Sequence, residues 1–371
     1  MSEPTLAVDQ LVVDFATPGE PVHAVRGISF SLAPQEVLGI VGESGSGKSV
    51  TALAAMGLLP KNARVSGSVT YDGQEMLGLK ERELAKIRGV GIAMIFQDPM
   101  TALNPVYTVG WQIVEAIRAH QDVSKDQALA RAVSLLETVG IPNAAERVGN
   151  FPHEFSGGMR QRVVIAIAMA NDPAVILADE PTTALDVTVQ AQVLSSLRTA
   201  LEETRASLLL ITHDLGVIAG LADRVLVMYA GRPVEIGTVE EIFYEPAMPY
   251  THGLLGSLPR LDSDGRDRLR QIPGSPPSMI GTRTGCPFAP RCPLRADICD
   301  QEEPELRPVT AMAASGPAAA TDVGAGAVTG AANGRSAHRH LSACHFADQV
   351  ARLPVASMFP DTSVDQEGVA Q

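Results

Sequence analysis

No stretch of this chain reaches the roughly 18 consecutive apolar residues that a membrane-spanning helix requires. The longest useful run, VVIAIAMA at Val163–Ala170, is less than half that length, so the chain is not expected to cross a bilayer by itself. An excess of positive charge is also lacking: 29 Lys+Arg against 42 Asp+Glu leave a formal −13. Neutralising nucleic-acid phosphates needs the opposite sign, so no nucleic-acid partner is expected. The opening residues MSEPTLAVDQ have neither a basic n-region nor an apolar h-region, which leaves nothing to mark the chain for secretion and points to the cytosol. Cysteine is scarce. The four present all fall between Cys286 and Cys344, which in a reducing compartment argues against a disulfide framework and for a metal site or free thiols. No internal repeat stands out.

What is present is ample for a core: 371 residues, 45% of them hydrophobic, allow two or three domains. Up to about Pro246, β-branched apolar runs alternate with helix-period segments, as in an α/β domain. VLGIVG (Val37–Gly42), VGIAMIF (Val90–Phe96), AVILADE (Ala174–Glu180), SLLLITH (Ser207–His213) and RVLVMYA (Arg224–Ala230) read as strands. Because these runs do not alternate, they predict a mostly parallel sheet buried on both faces. Between about 97 and 170 the pattern turns helical, which predicts a helical subdomain set into the α/β core of residues 1–245. From Glu245 onward proline and turn residues become dense, so 246–346 is expected to be a small, irregular appendage carrying the four cysteines, followed by a tail over 347–371. Within it, 310–337 consists almost entirely of small residues that lack the apolar surface to offset ordering entropy, and it is expected to be a flexible insertion.

The chemistry concentrates in two places. GESGSGKS (Gly42–Ser49) fits G-x-x-x-x-G-K-S/T, follows a strand and precedes the helical SVTALAAMGLL. Gly42, Ser44, Gly45 and Gly47 form a loop whose backbone can wrap an anion. Lys48 reaches the β- and γ-phosphates, and Ser49 can ligate Mg²⁺. The second place is the end of AVILADE: Asp179 would hold Mg²⁺ through water, and Glu180 would polarise an attacking water. His213, at the end of the next strand, is a candidate contact for the γ-phosphate.

FSGGM (Phe155–Met159), lying between that P-loop and the strand ending in Asp-Glu, resembles the signature loop of ATP-binding-cassette (ABC) ATPases. TALD (Thr183–Asp186) and His213 follow in the order that family has. The resemblance implies a P-loop NTPase of ABC type with a RecA-like core, ATP and Mg²⁺ as ligands, and specific residue roles. Gln97 is similar to the Q-loop glutamine, which joins Ser49 and Asp179 at Mg²⁺. Asp186 is similar to the D-loop aspartate, His213 to the switch histidine and Phe15 to the aromatic that stacks on adenine. Ser156, Gly157 and Gly158 open a helix that forms a second anion site, and the resemblance implies that they clamp the ATP held by Lys48 of a second ABC ATPase subunit. Met159 and Phe155 depart from the usual glutamine and leucine of the signature, but the phosphate-facing Ser and Gly residues are intact.

IFQDPMTALNP (Ile95–Pro105), HEFSGGMRQR (His153–Arg162), ADEPTTALDVTVQAQ (Ala178–Gln192), PYTHGLLGSLPRLD (Pro249–Asp262), IPGSPPSM (Ile272–Met279) and GCPFAPRCP (Gly285–Pro293) resemble the ATPases of oligopeptide and dipeptide importers. Nickel importers of the same family, and more remotely a non-transport ABC ATPase, are the alternatives. The resemblance implies a protein peripheral to the cytoplasmic face of the cytoplasmic membrane. Its partners would be a second ATPase subunit, two membrane-spanning permease subunits and an extracytoplasmic solute-binding protein. The cysteine spacing C-x5-C-x6-C-x44-C, at Cys286, Cys292, Cys299 and Cys344, is not that of a zinc ribbon. Four thiolates, two of them followed directly by Pro287 and Pro293, in a region too poor in apolar residues to hold its own core fit a cluster-bound fold, and the resemblance implies an iron–sulfur cluster of the 4Fe–4S type, with zinc or no metal as the alternatives.

Overall fold

The computed structural model describes residues 3–183, 185–258, 271–281, 284–310, 339–355 and 358–359. In chain order the strands are β1 (Leu6–Phe15), β2 (Val22–Leu32), β3 (Val37–Val41), β4 (Ala63–Tyr71), β5 (Gln74–Glu75), β6 (Ile92–Ile95), β7 (Val175–Asp179), β8 (Ser207–Ile211), β9 (Arg224–Tyr229), β10 (Arg232–Thr238), β11 (Arg307–Pro308) and β12 (Leu341–Ser342). The helices are α1 (Lys48–Ala55), α2 (Glu81–Ile87), α3 (Pro99–Ala102), α4 (Val109–Arg118), α5 (Lys125–Thr138), α6 (Ala144–Arg147), α7 (Gly157–Met169), α8 (Val187–Thr204), α9 (Leu215–Leu221), α10 (Val239–Tyr244), α11 (Pro249–Gly256), α12 (Asp297–Gln301) and α13 (Ala347–Val350).

The larger sheet has the order β11-β12-β10-β9-β3-β8-β7-β6, and its five strands from β9 to β6 run parallel. Both faces are covered. Ile176, Ala178, Leu208 and Leu210 point into one core with α4, α5, α7 and α8, while Val175, Leu177, Leu209 and Ile211 point into a second core with α1 and the smaller sheet. This two-sided burial is why the runs read as continuously apolar. α3 to α7 all fall between β6 and β7.

The smaller sheet, β2-β1-β4-β5, is antiparallel. It does not appear among the strands that the sequence predicts, for a local reason. Along β1 the buried positions are Leu6, Val8, Leu11 and Val13, so a period of two is broken between Val8 and Leu11. There Gln10 takes a left-handed backbone (φ 46°) and the pairing with β2 shifts register. A bulge of this kind hides a strand from any test for strict alternation.

Among the described residues the C-terminal region adds no core of its own. β12 pairs with β10 and β11 with β12, while Tyr250, Phe288, Val350 and Phe359 are buried in the same core as β7 and β8. Of the insertion expected over 310–337, all but Thr310 lies outside the described residues. Among the described residues no helix is long and apolar enough to cross a membrane.

Candidate nucleotide site

Gly42, Gln97, Glu180 and His213 follow β3, β6, β7 and β8, so four parallel strands deliver the chemistry to one edge of the sheet. Their carboxyl ends are where open α/β sheets bind ligands. There Ser44, Gly45, Gly47, Lys48, Ser49, Gln97, Glu180 and His213 line one cleft of about 520 Å³.

The loop owes its shape to close approaches. Gly47 has φ 100°, and a Cβ on it would lie 2.4 Å from the Ala24 carbonyl oxygen of β2, so only glycine fits there. Lys48 is buried (4% exposed) and donates to the carbonyl oxygens of Gly42 (2.8 Å) and Glu43 (3.0 Å). One of its three N–H groups is left for a ligand. Burial pulls its pKa down, while the charges of Glu180, Asp179 and Glu43 pull the other way. Among the described residues the buried Ser46 Oγ has no hydrogen-bond partner. An ammonium with a donor to spare and an orphaned hydroxyl at a helix N-terminus fit an anion such as a phosphate chain.

Ser49 Oγ donates to Asp179 Oδ1 at 2.8 Å. Burial pushes the Asp179 carboxyl up, Glu180 adds to that, and the Ser49 hydrogen bond and Lys48 oppose it. A hydroxyl beside a carboxylate is an oxygen pair that suits a hard divalent cation such as Mg²⁺. Glu180 takes a left-handed backbone (φ 46°), a strained conformation for a residue with a side chain, held by its N–H donating to Ile211 O at 2.8 Å. Three groups meet one of its oxygens. Thr183 Oγ1 donates to Oε2 at 2.7 Å, Gln97 Nε2 donates to it at 3.1 Å, and His213 Nδ1 lies 3.4 Å away. Thr183 was not singled out by sequence, although it sits in the TALD motif.

Other sequence candidates fall elsewhere. Ser156 caps α7, its Oγ accepting from Met159 N at 3.4 Å, and Asp186 caps α8, accepting from Val189 N at 3.0 Å; both are exposed and outside the cleft. Gly157 is exposed beside Ser156. Gly158 is buried: a Cβ there would lie 2.1 Å from Val189 Cγ1, so this glycine lets α7 and α8 approach. Phe15 ends β1 half-buried against the second core and does not line the cleft.

A glycine-rich loop with its buried lysine, a hydroxyl–carboxylate pair and a second carboxylate at the ends of adjacent parallel strands are the arrangement of the P-loop NTPase class. Solved structures agree on the fold and make it the ABC type. The chain superposes with a TM-score of 0.57 at 26% identity on the ATP-binding cassette MJ0796, whose structure is a dimeric post-hydrolysis state bound to ADP and Pi, covering 63% of this chain and 98% of that one. It superposes on cbiO1 from Clostridium perfringens, part of the ABC transporter complex cbiONQ, at 0.56 and 26%, covering 65% and 91%.

Residues 25–183 match the ABC transporter family, and residues 234–299 match the family described as oligopeptide/dipeptide transporter, C-terminal region. The chain is 59% identical over 304 residues to the oligopeptide transport ATP-binding protein OppD of Mycobacterium tuberculosis, covering 82% of this chain and 50% of that one. It is 52% identical over 299 residues to OppD of Salmonella typhimurium, covering 81% and 89%. To the dipeptide transport ATP-binding protein DppD of Bacillus subtilis it is 53% identical over 304 residues, covering 81% and 90%. The chain belongs to the family of oligopeptide and dipeptide transport ATP-binding proteins, and it spans about half the length of the mycobacterial relative.

The iron–sulfur expectation is corrected. Among the described residues no group of three or more His, Cys, Asp or Glu is gathered as a metal ion requires, so neither a 4Fe–4S cluster nor zinc has a ligand set at Cys286, Cys292, Cys299 and Cys344. The relatives, too, are named simply as transport ATP-binding proteins. All four are free thiols. Burial pushes the Cys286 thiol up, Cys292 to about 11 and Cys344 to about 12, so as free thiols they are neutral. The staple that a cluster would have supplied is unnecessary, because the C-terminal residues share the main core.

Proposed function

We propose that the chain is the ATP-hydrolysing subunit of an importer for oligopeptides or dipeptides, working on the cytoplasmic face of the cytoplasmic membrane. The observation that carries hydrolysis is the environment of Glu180. Thr183, Gln97 and His213 all meet Oε2, and among the described residues Oε1 has no partner. A carboxylate fixed through one oxygen and open at the other can accept a proton from a water and aim it.

Lys48 binds the terminal phosphates, and Ser49 and Asp179, with Gln97, hold Mg²⁺. When bound, that ion neutralises charge building on the phosphate oxygens. Ser156, Gly157 and Asp186, exposed beside the helix ends they begin or precede, serve a second ATPase subunit rather than the chain's own nucleotide. Residues 97–170 form the helical subdomain that meets two membrane-spanning permease subunits. Met100, Val106, Tyr107 and Trp111, all exposed on this stretch, support that reading because they offer apolar surface for docking. The solute would be chosen by an extracytoplasmic binding protein. The peptide reading rests on the relatives named above, which are named for oligopeptides and dipeptides.

Steady-state hydrolysis tests the site. Glu180→Gln keeps the shape and removes the base, so turnover should fall by about 10²–10⁴ while MgATP still binds, whereas Lys48→Ala should weaken binding itself. Undiminished turnover by purified Glu180→Gln protein refutes the assignment. Subunits that co-purify from gently solubilised membranes test the importer reading.

A further inference from the structure

The C-terminal region reaches back to the phosphate loop at one point. Glu43 is the only acidic residue in Gly42–Ser49, a loop that otherwise offers backbone N–H groups, hydroxyls and one lysine to an anion. Its carboxylate is gripped from 248 residues away: Arg291 Nη1 donates to Oε2 at 2.7 Å and Nη2 to Oε1 at 2.9 Å, a bidentate pair. The Arg291 side chain is 6% exposed and that of Glu43 24%.

Arg291 is itself locked. Its Nε donates to Pro273 O at 2.8 Å and its Nη1 to Tyr229 Oη at 3.3 Å, and its guanidinium carbon lies 5.9 Å from the ring centres of both Tyr229 and Phe288. Tyr250 makes a second link, because its hydroxyl accepts the Glu43 backbone N–H at 2.8 Å. The tyrosines and Phe288 pack together with ring centres 4.6–5.5 Å apart. Both the backbone and the side chain of one P-loop residue are therefore set by α11 and the segment between α11 and α12.

We infer that Arg291 is a positioning residue for the phosphate site: it neutralises the one carboxylate that the loop carries, which does not line the cleft, and keeps it from pairing with Lys48. Lys48 Nζ donates to the carbonyl of this same Glu43 at 3.0 Å, so a freed carboxylate stays within reach of the lysine. Without the guanidinium, Glu43 repels the phosphates and competes for the ammonium that should bind them. The inference rests on the nucleotide reading of the cleft and adds a control on it from the C-terminal region.

The test is MgATP and MgADP affinity of the full chain, measured by titration calorimetry, with thermal unfolding in parallel. Arg291→Met should raise the Kd for MgATP about tenfold, and by less for MgADP, because repulsion grows with ligand charge. Adding Glu43→Gln should restore MgATP affinity to within about twofold of the starting protein, since the offending charge is gone. A purely structural arginine would give the opposite pattern: a lowered unfolding temperature, equal losses for both nucleotides and no rescue. Where Arg291→Met fails to fold, Arg291→Lys should fold and give an intermediate loss that Glu43→Gln again relieves. Unaltered Kd in Arg291→Met, or failure of Glu43→Gln to rescue, overturns the inference. Absence of MgATP binding in the unmodified chain, or its persistence in Lys48→Ala, instead overturns the nucleotide reading beneath it.

Discussion

Gly158 separates two accounts of the FSGGM loop. As a phosphate-facing glycine it would matter to ATP, while its surroundings give it a packing role. A Cβ built there would lie 2.1 Å from Val189 Cγ1 and 3.5 Å from Val189 Cβ. Ordinary carbon contacts lie at about 3.5–4.0 Å, so a methyl group is short of room by about 1.5 Å. Valine in a helix has essentially one χ1 rotamer and cannot swing aside, so the strain passes to the α7–α8 contact. Overpacking of this kind costs about 1–3 kcal/mol, and the gain from replacing a helical glycine by alanine offsets about 0.5–1 kcal/mol of it. Gly158→Ala should therefore destabilise by about 1–2 kcal/mol, a fall of several degrees in the unfolding temperature of a domain this size. Val189→Ala in the same chain should recover most of the loss, because it removes the atom in the way. Thermal unfolding and MgATP hydrolysis, measured together, decide between the accounts. Unchanged unfolding temperature with abolished hydrolysis refutes the packing argument and returns Gly158 to the phosphates.

Ser156→Arg puts a bulky cation on an exposed cap outside the cleft, so MgATP binding by the isolated chain should stay near its starting value while hydrolysis is lost. Loss of affinity as large as that of Lys48→Ala would contradict a role toward a second subunit. His340 gives a pH dependence. Burial pulls its imidazole down, but the hydrogen bond and charge of the buried Glu235 at 2.8 Å, with Glu241 and Glu245, outweigh that and leave its pKa above the ordinary 6.5. A raised folded value stabilises fully below about pH 6.5 and is lost as pH climbs through the folded pKa, so the unfolding temperature should fall over that rise and His340→Gln should flatten the fall. An identical slope in the variant removes His340 from the explanation.

The residues of the candidate nucleotide site are legible because they are local in sequence. Gly42–Ser49 and Ala174–Glu180 each carry strand, turn and functional groups within a few residues, and the fold has only to bring the strand ends together. The strands β3, β6, β7, β8 and β9 were legible for a related reason: burial on both faces leaves unbroken apolar runs. What escaped depends on contacts across the chain. The bulge at Gln10 interrupts the alternation of β1, the role of Gly158 needs Val189 on another helix, and no spacing rule links Glu43 to Arg291. The cysteine reading, built on spacing, resemblance and the apolar poverty of 246–346, misses that the region need not hold a core alone. That region borrows the remainder from the core it packs on.

The borrowing has a physical cause in β10, whose residues Pro233 to Gly237 are all buried. Left as the edge of the sheet, this strand would present unpaired backbone groups and apolar side chains to solvent, an open invitation to wrong pairing. β12 covers it, although two residues of strand could never form a sheet alone. Glu235 on β10 is fully buried, and its carboxylate takes hydrogen bonds from the Ala247 N–H and His340, both from beyond the strand. A buried carboxylate without those donors would be severely destabilising. The peptide-transporter match begins at residue 234, inside this strand, and not at the boundary near 245 that the change in composition suggests. The C-terminal region thus completes the sheet that carries the candidate nucleotide site, and Tyr250 and Arg291 of the same region contact the P-loop at Glu43.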